Sequence, residues 1–128
     1  MNKQADLHIV IRFLAVAVCV VLIFWLSLRS APVELGRFSG SNKVHHALAY
    51  FGLTIMIGWA FAAIPRLSGH RWLLAIVISV TLGGFMEILQ YLLTTTRRAR
   101  FTDLLADMLG AILAWCVVKI AERRAGKG

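Results

Sequence analysis

The chain has 128 residues, of which 59% are hydrophobic and 16% charged, with a formal net charge of +8. A soluble domain this small cannot hide so much apolar surface in one core, and the mean hydropathy of +0.77 points to lipid instead. Only two cysteines are present, Cys19 and Cys116, both inside apolar runs, which excludes a disulfide scaffold; the hydrophobicity excludes disorder.

A bilayer core about 30 Å thick needs roughly 20 apolar residues in a helix. Four stretches meet that length: 9–28, 44–64, 72–94 and 102–121. They predict an all-α integral membrane protein with four transmembrane helices, one membrane domain covering residues 1–128. In the first stretch Arg12 lies near the start, and in the fourth Lys119 lies near the end. Both can snorkel to the interface. The first stretch is too long for a signal-peptide core and is followed by Arg29-Ser30-Ala31-Pro32, so it reads as a retained helix. Pro65 stops the second stretch. Trp25 and Trp72 suit the interfacial belts.

With four spans, eight basic residues fall on the side of the termini and six on the other: Arg29, Arg37, Lys43, Arg97, Arg98 and Arg100. The bias places both termini in the cytoplasm. Splitting the positive charge across two membrane faces argues against nucleic acid and for anionic lipid head groups as partners. The outer arginines read either as a solvated loop or as a phosphate-binding surface, for which the bidentate guanidinium is suited.

Ionisable groups inside spanning helices default to a functional hypothesis. Lys43, His46 and Tyr50 share one face of the second helix; Glu87, Gln90, Tyr91 and Thr94 share one of the third; Asp103, Asp107 and Gly110 share one of the fourth. Counted inward at about 1.5 Å per residue, all three faces reach the same outer third. Glu87, roughly 10 Å deep by that rise, needs a cation, a proton or a water cavity. The expected partners are His46, Lys43 or one of the arginines. Asp103 also reads simply as a residue favoured by the helix dipole. Ala106, Gly110 and Ala114 form a small-residue stripe for close helix approach, and Gly83-Gly84 suggests another. Met56, Met86 and Met108 read as apolar filler, and the two cysteines as unbridged packing residues.

On these residues the chain resembles the VanZ-like family of small bacterial membrane proteins. Asn42-Lys43-Val44-His45-His46-Ala47-Leu48-Ala49-Tyr50 is similar to the family's Asp-Lys-x-x-His-x-x-Ala-Tyr, with His46 and Tyr50 on motif positions. Glu87-Ile88-Leu89-Gln90 resembles Glu-x-x-Gln. The stretch from Arg97 to Gly110 resembles an arginine-rich turn followed by Asp-x-x-x-Asn-x-x-Gly, with Asp103 and Gly110 in place. Asn42 stands where the family has Asp, and Asp107 where it has Asn; if the two meet, the exchange keeps one acid and one amide in the pair. The resemblance implies the bacterial cell membrane, an envelope role and a link to glycopeptide (teicoplanin) resistance, but no particular reaction.

Candidate catalytic residues are therefore His46, Glu87 and Asp103. Candidate binding residues are Lys43, Tyr50, Gln90, Arg97, Arg98, Arg100 and Asp107. The leading reading is a protein that binds or modifies an anionic lipid-linked envelope molecule at the outer leaflet, with acid–base groups below and basic groups holding phosphate. No cofactor is called for. A metal-dependent variant, with His46, Glu87, Asp103 and Asp107 as N/O ligands, is the lesser form of it. The main alternative is a non-catalytic structural or interaction module whose polar cluster clasps the helices. A proton-coupled carrier is disfavoured because no inverted repeat is evident, unless the chain forms a homo-oligomer.

Overall fold

The computed structural model describes residues 3–28, 41–94 and 100–126. They form four helices and, among the described residues, no strand: α1 (Lys3–Leu28), α2 (Ser41–Phe61), α3 (Arg71–Leu93) and α4 (Phe101–Ala125). Each is long and apolar enough to cross a membrane. The connection carrying Arg29 and Arg37, and the turn carrying Arg97 and Arg98, lie outside the described residues.

The helix limits differ from the sequence expectation where hydropathy is a poor guide to helicity. The first helix begins at Lys3, because its polar first turns continue the helix beyond the apolar stretch. The second closes at Phe61 rather than Ile64, and the chain then runs through short turns such as Ile64 N–H to Phe61 O (3.0 Å) and Leu67 N–H to Ile64 O (2.9 Å). Pro65 disfavours the helical conformation for the residue before it. The fourth runs on to Ala125, where Glu122 is held by Arg71 (2.5 Å) and Lys119 (3.2 Å).

The core is small and sits on α2. Tyr50, Leu53, Ile57 and Ala75 form its buried centre, and Val16, Cys19, Val20 and Ile23 of α1 pack over it. The second helix touches all three others, most extensively α4, whereas α1 and α4 lie apart. Close contact with α4 follows from small residues: Ala106, Ala111 and Ala114 are buried, and a Cβ at Gly110 would overlap the Ala47 backbone carbonyl. Gly58 meets the Trp72 ring in the same way. Trp72 is thus a buried packing residue, donating its indole N–H to Glu122 (3.1 Å), and not the lipid-facing belt residue expected. Trp25 is 58% exposed, as a belt residue should be. Outward faces carry Leu, Val, Ile and Phe, which is stable only against lipid or another apolar partner. Cys19 and Cys116 are free thiols, Met86 is core, and Met108 faces outward.

Candidate functional site

At the end of the bundle where α2 and α4 begin and α3 finishes, three polar helix faces meet. His46, Glu87 and Asp107 each lie five or six residues inside their helix ends, about 8–9 Å at the helical rise. Antiparallel neighbours thereby bring residues that are distant in sequence to one level. One ligand-type atom from each of the three lies within 4.8 Å of the others. The His46 side chain is 10% exposed and that of Asp107 1%, and Glu87 is 6% exposed.

The contacts are specific. His46 Nδ1–H donates to Asp107 Oδ1 (2.9 Å), joining α2 to α4. Asn42 Nδ2 donates to Asp103 Oδ2 (3.2 Å), a second link between the same helices one turn nearer the surface. Asn42 and Asp107 are therefore not each other's partners, as the exchanged motif residues had suggested; each bonds a third residue. The backbone N–H of Arg100 donates to Glu87 Oε2 (2.9 Å), tying the entry of α4 to α3. An arginine does partner Glu87, but through its amide; the residue itself is exposed. Lys43 is exposed at the rim, while Arg97 and Arg98 fall outside the described residues.

Several acceptors are left over. Tyr50 Oη, Glu87 Oε1, Asp103 Oδ1 and Asp107 Oδ2 are buried and have no hydrogen-bond partner among the described residues. Buried polar atoms in native proteins are seldom left so, and these four lie in one cluster. Gly83 makes room for part of it: a Cβ there would come within 2.6 Å of Asp107 Oδ2. Gly84 has only ordinary contact, 3.9 Å to Leu104, so one glycine of the pair is required.

Two residues grouped with the site by spacing serve elsewhere. Gln90 is buried but donates to the Ser27 carbonyl of α1 (3.2 Å), anchoring that helix. Tyr91 is 67% exposed and turns toward lipid, where an amphipathic ring suits the interface. A buried link one level deeper escaped notice in the sequence. Thr54 Oγ1 lies 2.7 Å from the Tyr50 carbonyl and 2.9 Å from Ser79 Oγ, so it donates to the first and accepts from the second. Lone hydroxyls in apolar helices carry no charge or spacing that sets them apart.

In chemical terms the cluster offers an imidazole oriented by a carboxylate and a second carboxylate with a free oxygen. Such groups move protons. No serine or cysteine nucleophile is part of the cluster among the described residues. The VanZ/LLP1 family model matches residues 13–122, and the chain belongs to that family. No curated protein and no solved structure matches it.

Proposed function

We propose that this VanZ/LLP1-family membrane protein holds the phosphate-bearing head of a lipid-linked envelope molecule at the outer leaflet of the bacterial cell membrane and acts on it by acid–base chemistry. The observation that carries the reading is the buried meeting of His46, Glu87 and Asp107 at one depth, with unpaired oxygens, beside a basic rim. Lipid-linked substrates fit because the cluster lies near one end of a bundle whose outer faces are apolar. Phosphate fits because Lys43 and Arg100 are exposed near the starts of α2 and α4, beside the cluster.

In this reading water is the attacking group, and the imidazole and carboxylates of the cluster act as acid–base groups. Asp107 holds the His46 tautomer through Nδ1, leaving the other ring nitrogen to take the proton. The water oxygen bonds to phosphorus, its proton passes to His46 or Glu87, and the bond from phosphorus to the leaving oxygen breaks. A phosphoanhydride, whose leaving group is itself a phosphate, suits a site with no dedicated strong acid.

A structural clasp is the second reading, favoured by the two direct α2–α4 links, His46–Asp107 and Asn42–Asp103. Native mass spectrometry of protein extracted from its own membrane separates the two. A phosphate-bearing isoprenoid or glycolipid should copurify, and should be lost in a Lys43→Gln, Arg100→Gln double variant. Bulk phospholipid alone, equal in wild type and variant, would favour the clasp.

A further inference from the structure

We propose that His46, Glu87 and Asp107 form a binding site for one divalent cation of the Mg²⁺ or Mn²⁺ class. This deepens the reading above, because an anionic head group placed over buried carboxylates would otherwise be repelled. Three acids, Glu87, Asp103 and Asp107, are each 6% exposed or less. Among the described residues, no lysine or arginine side chain forms an ion pair with any of them. The basic rim faces phosphate from outside, and a cation between Glu87 and Asp107 would face it from within.

Geometry supports the assignment. One donor atom from each of the three residues lies within 4.8 Å of the other two. Ligands on opposite sides of an octahedral ion stand about 4 Å apart, on the scale of this grouping. Glu87 Oε1 and Asp107 Oδ2 are free of hydrogen bonds among the described residues and almost wholly buried, an arrangement costly for any carboxylate lacking a cation or a proton. Their second oxygens are already fixed, by the Arg100 amide and by His46 Nδ1–H, which leaves His46 Nε2 as the ligand nitrogen. Such outer hydrogen bonds commonly orient ligands toward a metal. One imidazole with two carboxylates and no thiolate is a hard, oxygen-rich set, which favours Mg²⁺ or Mn²⁺ over softer ions. Asp103, spent on Asn42, falls outside the group of three. A cation here would offset the carboxylates' charge against a phosphate and would lower the cost of deprotonating a bound water; with it bound, His46 and Glu87 would serve as ligands and the water's proton would pass to Asp103 Oδ1, which has no partner among the described residues.

The test uses the full chain purified in detergent, stripped with a chelator and titrated with Mn²⁺ under electron paramagnetic resonance, with no lipid added. Wild type should bind one Mn²⁺ per chain, with nitrogen hyperfine coupling from a single imidazole. Glu87→Gln and Asp107→Asn should each weaken binding at least tenfold, whereas Glu122→Gln, which removes a carboxylate at the opposite end, should not. Absence of saturable binding to wild type overturns the site. So does binding of equal strength in Glu87→Gln and Asp107→Asn. Should a variant fail to fold, the wild-type spectrum still decides: bound Mn²⁺ showing oxygen ligands alone also overturns it. Because lipid is absent, failure here leaves the lipid-head reading standing, and loss of lipid copurification leaves the metal site standing.

Discussion

Asp107 is the residue on which the two helices most depend, since it is 1% exposed and bonds His46 across the α2–α4 contact. Removing the carboxyl leaves a buried imidazole nitrogen without its partner. Asp107→Ala should therefore cost about 1–3 kcal/mol, and Asp107→Asn, which keeps volume and one acceptor, less than about 1. Thermal unfolding in detergent measures both. Equal losses would mean that the charge, and not the hydrogen bond, holds this contact. His46, Glu87, Asp103 and Asp107 were all legible in the sequence, because an ionisable group in an apolar run stands out. Their pairing was not. Asn42 and Asp107 look like complementary exchanges along the chain, yet the turn of α4 that separates Asp103 from Asp107 sends each to a different residue of α2. Gln90 and Tyr91 share the spacing of Glu87 but not its contacts, for a related reason. Spacing gives a shared face but not which neighbour that face meets, and α1 takes Gln90.

Among the elements, glycines report where helices touch. Gly110 lies against the Ala47 carbonyl and Gly83 against the Asp107 carboxylate, while Gly52 has nothing within 4 Å and Gly84 nothing nearer than 3.9 Å. Gly110→Ala should lower stability by about 1–3 kcal/mol through forced separation of α2 and α4. Gly52→Ala should be neutral or stabilising by up to about 1 kcal/mol, from helix propensity alone. Ranking the melting temperatures of Gly110→Ala, Gly83→Ala, Gly84→Ala and Gly52→Ala checks the packing; a fall at Gly52 as large as at Gly110 would contradict it. The small-residue stripe on α4 was readable in sequence because three positions four apart are hard to produce by accident. Gly58 was not readable, since its need arises from the Trp72 ring on another helix. The helix ends moved for a physical reason as well: hydropathy measures fit to lipid, whereas Lys3–His8 and Glu122–Ala125 are helical outside it.

For the whole molecule, four helices and a polar end define a multi-pass membrane protein with an uneven distribution of buried polar groups. Tyr50, Glu87, Asp103 and Asp107 are buried at one end, whereas Arg12 over Trp59 (4.7 Å) and Arg71 with Glu122 are among the polar contacts of the other. Our account puts the acidic end outside. Ser41→Cys, in a background with Cys19 and Cys116 replaced, should react with an impermeant thiol reagent applied to intact cells, and Ser68→Cys should not. The reverse pattern would place the cluster at the cytoplasmic face and the lipid head group with it.

The central claim is that the buried cluster works and does not merely hold. Phosphate release from a polyprenyl diphosphate by the purified protein, compared between wild type and Glu87→Gln, tests it most directly. The substitution keeps the volume and the acceptor for the Arg100 amide, so the melting temperature should stay within about 2 °C of wild type. Release should fall by roughly a hundredfold or more, the scale of losing one proton-transfer group. Release unchanged in Glu87→Gln, or a melting temperature lowered as far as in Gly110→Ala, would contradict the account.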